Sequence, residues 1–253
     1  GSIADYNKAI EINPKCAPAF LNRGNTKQEL KDFQAAIADY NKAIEINIQY
    51  VLAYANRGNA KAELGDIQGS IADFNKAIEI NPQYADAYSN RGISKRDLHD
   101  NQGAITDYNK AIEIDPQHAI AYANRAISKS DLGDYQGAIS DYNEAIEIQP
   151  RNHVTYTNRG IVKDKSGDKQ GAIVDFNKAI SINPNYASAY NNRGWSKYQL
   201  GDFQGALKDA NTALAINPND GATFDTRGRA KYKLGQGKSA CKDLKMASSL
   251  DYK

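Results

Sequence analysis

A segment of 34 residues recurs along this chain, and that period constrains the fold more than any other feature. Ala85-Asp-Ala-Tyr-Ser-Asn-Arg-Gly92 returns as Ala119-Ile-Ala-Tyr-Ala-Asn-Arg-Ala126 and again as Ala187-Ser-Ala-Tyr-Asn-Asn-Arg-Gly194. Periods of about 20 to 50 residues mark stacked supersecondary repeats, none of which buries its apolar face alone. Such a chain presents an extended surface and seldom encloses a catalytic pocket. With each repeat begun two residues after Pro-x, full repeats run 17-50, 51-84, 85-118, 119-152, 153-186 and 187-220, and a seventh, 221-253, is one residue short. Residues 1-16 align with the second half of a repeat only, Ile3 to Ile10 matching Ile37 to Ile44. The expected organisation is one solenoid over 1-253.

Each repeat reads as two helices. Counting positions from the first residue of a repeat, small or apolar residues fall at 3, 4, 8 and 14 in the first half (Ala87, Tyr88, Gly92, Leu98) and at 20, 21, 24, 27 and 28 in the second (Ala104, Ile105, Tyr108, Ala111, Ile112). Both spacings describe one face of a helix. Between the halves, Gly133-Asp134 and Gly201-Asp202 offer a left-handed residue to end one helix and a carboxylate to cap the next. Pro82, Pro116, Pro150, Pro184 and Pro218 stop the second helix, because the residue before proline is pushed out of the helical region.

With the period, an aromatic at position 4, Gly or Ala at 8, Ala or Ser at 20, an aromatic or apolar residue at 24, Ala at 27 and Pro at 32, the chain resembles tetratricopeptide repeat proteins over essentially its whole length. In 51-84 these positions hold Tyr54, Gly58, Ser70, Phe74, Ala77 and Pro82. The resemblance implies an all-α, right-handed superhelical solenoid of antiparallel helix pairs whose first helices line a concave groove. Departures include Ile48 for the proline, Ala126 for the glycine, Ser166 for the leucine at 14 and Ala210 for the aromatic at 24. Lys31 and His99 replace the turn glycine, where a left-handed backbone costs another residue roughly 1–2 kcal/mol.

Composition adds bounds. An apolar content of 41% supplies a continuous core. No run approaches the ~20 apolar residues of a membrane span, so none is expected. Cys16 and Cys241 lie too far apart in sequence to pair within one extended superhelix, which fits a reducing, cytoplasmic compartment. The net charge of +2 is unevenly spread: repeats 51-84, 85-118 and 119-152 carry −1, −2 and −2, whereas 221-253 has eight cations against three anions. The spread is either drift on solvated outer faces or a handle that orients a partner.

Catalytic motifs are missing. Gly237-Lys238-Ser239 looks like the end of a phosphate-binding loop, but Tyr232 stands where that motif needs its first glycine. His99, His118 and His153 form no i,i+4 pair and have no neighbouring cysteine, so neither a metal nor any other cofactor is expected.

Two polar sets recur. Position 6 holds Asn22, Asn56, Asn90, Asn124, Asn158 and Asn192. In the family this position faces the groove, so the resemblance implies a ladder of amides, each with one acceptor and two donors for an extended polypeptide backbone. Such a ladder resembles the repeat domain of O-GlcNAc transferases, where it holds substrate polypeptide. The competing reading has these asparagines bonding to the neighbouring repeat. The second set is Arg at 7, Lys at 11 and Asp at 23, for example Arg57, Lys61 and Asp73, where the family usually has apolar or aromatic residues. Joint replacement by cation and anion points to packed ion pairs between helices. Pairing within repeats would leave Asp243 bridged to Arg227 and Asp5 free; pairing between repeats would do the reverse.

The co-chaperone members of the family clamp a terminal carboxylate with lysines and an arginine that are missing here: position 5 holds Leu21, Ala55 and Ser89, and position 2 holds Asp86 and Ile120. Near the C-terminal end, Trp195, Tyr198, Arg229 and Tyr232 fall on the groove face as an exposed aromatic and cationic anchor for a peptide. Single-stranded nucleic acid could stack on the same rings, but a net charge of +2 argues against it. The residues describe a non-enzymatic scaffold for a protein or peptide ligand in the groove. Its rivals are the substrate-recruiting part of a larger enzyme and a module that self-associates through its ends.

Overall fold

Glycine and aspartate decide where each helix pair turns. The computed structural model describes residues 2–250, and the described residues form helices and turns with no strand. The first helix is α1 (Ile3–Ile12). There follow α2 (Ala17–Glu29) with α3 (Phe33–Ile46), α4 (Val51–Glu63) with α5 (Ile67–Ile80), α6 (Ala85–Asp97) with α7 (Asn101–Ile114), then α8 (Ala119–Asp131) and α9 (Tyr135–Ile148), and then α10 (His153–Lys165) with α11 (Lys169–Ile182), α12 (Ala187–Gln199) with α13 (Phe203–Ile216), and α14 (Gly221–Lys233) with α15 (Gly237–Ser249). At each of five turns a glycine takes positive φ, 78° to 97°. Lys31 and His99 take the same conformation at φ 61° and 63°, as their place in the repeat requires. The next residue but one starts a helix, capped by aspartate everywhere except after Gly235, where Gln236 makes no side-chain cap: Asp66 Oδ1 accepts from the Gly69 amide at 2.9 Å, and Asp100, Asp134, Asp168 and Asp202 repeat the bond at 2.8–2.9 Å. At the far end, Asn47, Asn81 and Asn183 cap the second helices with extended backbone, and each side chain accepts from the amide two residues on. That side-chain turn works together with proline, and without it at Ile48.

The chain divides into two compact units, Gly1–Leu132 and Gly133–Lys253. In the first, α2 packs on α3, α3 on α4, and so on to α7 on α8; in the second, α9 packs on α10 and the sequence continues to α14 on α15. The residues at positions 20, 24 and 27 are the centre of the pairs, with a ring at 24 in the first five full repeats and Ala210 and Leu244 in the last two: Tyr40, Tyr108, Phe74 and Phe176 are at most 1% exposed. A Cβ on Gly24 would lie 2.6 Å from the Tyr40 ring, and one on Gly92 2.6 Å from the Tyr108 ring, so glycine at position 8 is what lets the ring lie flat against the first helix. One expectation fails. The leucines at position 14 are not core residues: Leu30, Leu64, Leu98, Leu132 and Leu200 are 42–68% exposed, because each is the C-cap residue, where the chain already leaves the helix.

Polar residues enter this stack only as matched sets. The position-23 aspartates Asp39, Asp73, Asp107, Asp175, Asp209 and Asp243 are 2–4% exposed. Each receives a bidentate fork from the arginine of its own repeat, Nε to Oδ2 at 2.8–2.9 Å and Nη2 to Oδ1 at 2.5–2.7 Å. Lysine at position 11 adds a contact to Oδ2 at 2.7–2.9 Å. Pairing is therefore within the repeat: Asp243 is bridged by Arg227, whereas Asp5 caps its own helix through Ser2. The arginine also reaches backwards. Its Nη1 donates to the position-25 asparagine of the preceding second helix at 2.6–3.2 Å, as from Arg57 to Asn41, and its guanidinium stands 5.1–5.5 Å from the centroid of the position-4 ring.

Three outcomes follow from these contacts. Asp73→Ala strands Arg57 and Lys61 and should cost about 3–5 kcal/mol in urea unfolding, whereas the triple exchange Arg57→Met, Lys61→Met, Asp73→Leu should cost clearly less; equal losses would mean the pairs are not what holds the helices. Burial pushes the Asp243 carboxyl up, but its hydrogen bonds and charge contacts with Arg227 and Lys231 outweigh this and leave it below 3.8. A depressed folded-state value stabilises above the unfolded value, and the gain is lost as pH falls through the folded one. The stability difference between wild type and Asp243→Asn should hold from pH 7 to about 5 and shrink below about pH 4. Finally, Lys31→Gly and His99→Gly should each raise stability by roughly 0.5–1 kcal/mol, the relief of a left-handed residue less the chain entropy of glycine, while Gly65→Ala should lower the melting temperature.

Candidate functional site

First helices touch one another as well as their partners. In the N-terminal unit α2 contacts α4, α4 contacts α6 and α6 contacts α8; in the C-terminal unit α10 contacts α12 and α12 contacts α14. The position-6 asparagines thus fall in a row on adjacent helices within each unit. Asn22 is exposed, and Asn56, Asn90, Asn124, Asn158 and Asn192 are half-buried.

Their side chains do not bond alike. Asn56 Nδ2 donates to Asn25 Oδ1 at 2.8 Å, across to the preceding first helix. Asn124 Oδ1 accepts from Arg96 Nη1 at 3.3 Å, again from the preceding repeat. Asn192 turns onto its own helix, donating to the Ser188 carbonyl at 2.8 Å. Inter-repeat bonding therefore accounts for two of the six, and none bonds to another position-6 asparagine.

Positions 9, 12 and 13 vary along the row. At the start, Asn25 Oδ1 and Gln28 Oε1 lie 3.0 Å from the Tyr40 hydroxyl, which is wholly buried. Burial, then the Asp39 and Glu29 carboxylates, push that phenol above its ordinary range, so it stays a donor. In repeat 85-118 the same positions hold Ile93 and Arg96, and the buried Tyr108 hydroxyl is left with no partner. In the C-terminal unit Asp164 accepts from Ser196 Oγ at 2.7 Å, tying α10 to α12.

Of the aromatic and cationic set expected near the C-terminal end, Trp195, Tyr198 and Arg229 come together, whereas Tyr232 lines a separate concavity with Gly237, Cys241 and Leu244. Trp195 and Tyr198 stack with centroids 5.5 Å apart, Tyr198 meets Phe203 at 5.4 Å, and the Arg229 guanidinium stands 5.9 Å from the Trp195 centroid. Arg229 Nε also bonds Asp225 at 2.6 Å. The rings are less open than the sequence implies. Trp195 and Tyr198, stacked on each other, are half-buried, and Tyr232, at 68%, is the most open of the three rings. Sequence reasoning missed Asp225 and Phe203; their spacing of four and five residues from Arg229 and Tyr198 was the available signal. No cluster of three or more metal-ligating side chains occurs among the described residues.

Short helix pairs within each unit, with a ring packed on glycine at Gly24, Gly58, Gly92 and Gly160, define an all-α helical-repeat protein. Sequence models of the tetratricopeptide repeat match residues 17–50, 83–151 and 187–220, and a further TPR-repeat model matches 58–96 and 165–201; the chain belongs to the tetratricopeptide repeat family. Repeats of this family are in general non-catalytic scaffolds. No curated protein sequence matches the chain. Among solved structures it is similar to YrrB, a TPR protein with an unusual peptide-binding site, at 22% identity over 74% of this chain and 97% of that one, TM-score 0.58. It is also similar to a tetratricopeptide repeat protein from Parabacteroides merdae ATCC 43184, at 20% identity over 97% and 91% with TM-score 0.68. PilW, a type IV pilus biogenesis factor, aligns at 19% identity over 82% and 96% with TM-score 0.76. These likenesses show the fold. No helix among the described residues is long and apolar enough to cross a membrane.

If Arg229 holds the Trp195 ring in place, Arg229→Ala should red-shift and broaden the fluorescence of this lone tryptophan as water reaches it. An unchanged spectrum would mean that the packing with Tyr198 alone fixes the ring.

Proposed function

We propose that the chain is a protein-interaction scaffold whose first-helix face holds an extended polypeptide, with the position-6 asparagines supplying backbone contacts. The observation that carries this reading is the contrast between polar groups engaged in packing and polar groups left free. Arg, Lys and Asp at 7, 11 and 23 are consumed in packing. The amides at position 6 keep most of their donors and acceptors unspent, and Asn22, Asn90 and Asn158 make no side-chain hydrogen bond among the described residues. An unengaged carboxamide matches the alternating N–H and C=O of an extended chain. That YrrB carries a peptide-binding site on the same fold is in keeping with this role. Trp195, Tyr198, Arg229 and Tyr232 would add an anchor in the C-terminal unit, with Tyr232 the ring first met by a ligand.

The test is a degenerate nonapeptide library passed over the immobilised chain and quantified by mass spectrometry. Replacing Asn56, Asn90 and Asn124 together with alanine should cut recovered peptide about tenfold or more, each lost hydrogen bond being worth about 0.5–1.5 kcal/mol. Circular dichroism should show the helicity intact. Undiminished recovery would remove the asparagines from the site.

A further inference from the structure

Glutamates of the N-terminal unit differ in what they meet. On second helices they meet a lysine one turn back: Lys42 with Glu45, Lys76 with Glu79 and Lys110 with Glu113, at 2.6–2.8 Å. Glu29 and Glu63, at position 13 of the adjacent helices α2 and α4, have no ion-pair partner among the described residues. Both border a concavity of about 530 Å³ whose wall is otherwise Asn25, Gln28, Asn56 and Phe33, with Lys31 its one cation. Within that wall Asn25 Oδ1 is already shared by the Tyr40 hydroxyl and Asn56 Nδ2. The groups left for a ligand are the Asn56 oxygen, the Gln28 and Asn25 amide nitrogens and two carboxylates.

We propose that this concavity is a subsite for one cationic side chain, lysine or arginine, of the polypeptide held on the first-helix face. The inference rests on the reading given above and names the chemistry of its ligand at one place. Ammonium and guanidinium groups are donors only, and the open acceptors here are two carboxylates and an amide oxygen. A long basic side chain lays its alkyl stem on an apolar surface while its head stays polar, which is what Phe33 beside Glu29 and Glu63 offers. Concavities of roughly 300–1,000 Å³ hold small organic groups, so an arginine side chain fits with room for water. Lys31 opposes the cation, and the rim is still negative by one charge. The arrangement is confined to the first two repeats, because Ile93 and Arg96 stand in repeat 85-118 where Asn25 and Gln28 stand here. It is therefore a local feature of the face and not part of the recurring framework.

The test uses the full chain, immobilised, and three nonapeptide libraries degenerate except at a central arginine, glutamine or glutamate. In low salt the arginine library should be recovered about three- to tenfold over the glutamine library, the range expected of two exposed charge contacts, with glutamate lowest. Glu29→Gln with Glu63→Gln should erase that preference and leave recovery of the glutamine library unchanged. Both side chains are exposed and the exchange is isosteric, so the fold is retained, which circular dichroism checks. Lys31→Gln should widen the preference, and 1 M salt should abolish it. Equal recovery of arginine and glutamine libraries, or a preference that survives in the double variant, overturns the subsite while leaving the first-helix-face reading intact. Recovery of no library at all overturns both.

Discussion

The guanidinium at position 7 is the contact on which each helix pair depends, because one side chain fastens three consecutive helices. Arg57 sits on α4, forks onto Asp73 of α5 and donates to Asn41 of α3. Its flat face lies over Tyr54 of its own helix, which fixes the plane of the fork. An aspartate exposed by only a few per cent cannot keep its charge without such partners, and lysine at position 11 completes its coordination. The set also prescribes register. Sliding one helix by a turn against the other would strand a buried carboxylate and two cations at once, whereas an all-apolar interface would tolerate the slip.

This framework separates two kinds of position. Those at 4, 7, 8, 11, 20, 23, 24 and 27 touch the neighbouring helix and hardly vary from repeat to repeat. Their geometry is tight enough that a single methyl matters, since a Cβ on Gly24, Gly92 or Gly160 would press to 2.6 Å from the ring opposite. Positions 9, 12 and 13 lie on the row of first helices and change freely, from Asn25, Gln28 and Glu29 to Trp195, Tyr198 and Gln199. The constant positions hold a fixed shape, and that leaves the variable ones able to differ without altering it.

How much of this was legible in the sequence depends on how local the cause is. Period, helix pairing, the aspartate caps and the left-handed backbone at Lys31 and His99 follow from residues a few positions apart, and they were readable. The charge sets announced themselves by recurrence, but whether Asp243 or Asp5 would be the bridged end needed the pair geometry. The asparagine at 25 gave no sign of its role, because its partner lies sixteen residues on, in the next repeat. Leucine at 14 misled, since its spacing continues the apolar stripe past the point where the chain turns out of the helix. At the first-helix face, periodicity placed the six asparagines in line yet said nothing of their individual partners. Those depend on what occupies 9 and 12 in the repeat before.

Tyr40 and Tyr108 show what such variation costs. Both are wholly buried at position 24, both lie against the glycine of the first helix, and both point a hydroxyl toward positions 9 and 12. With asparagine and glutamine there, the hydroxyl is satisfied; with Ile93 and Arg96 there it is orphaned. An unsatisfied buried hydroxyl costs about 1–3 kcal/mol, and phenylalanine, used at the same position in Phe74 and Phe176, would avoid it. Stability alone does not account for a tyrosine beneath Ile93. Departures from local consistency concentrate where a chain is shaped for something other than its own folding, and this one falls on the face where the exposed residues differ most from repeat to repeat.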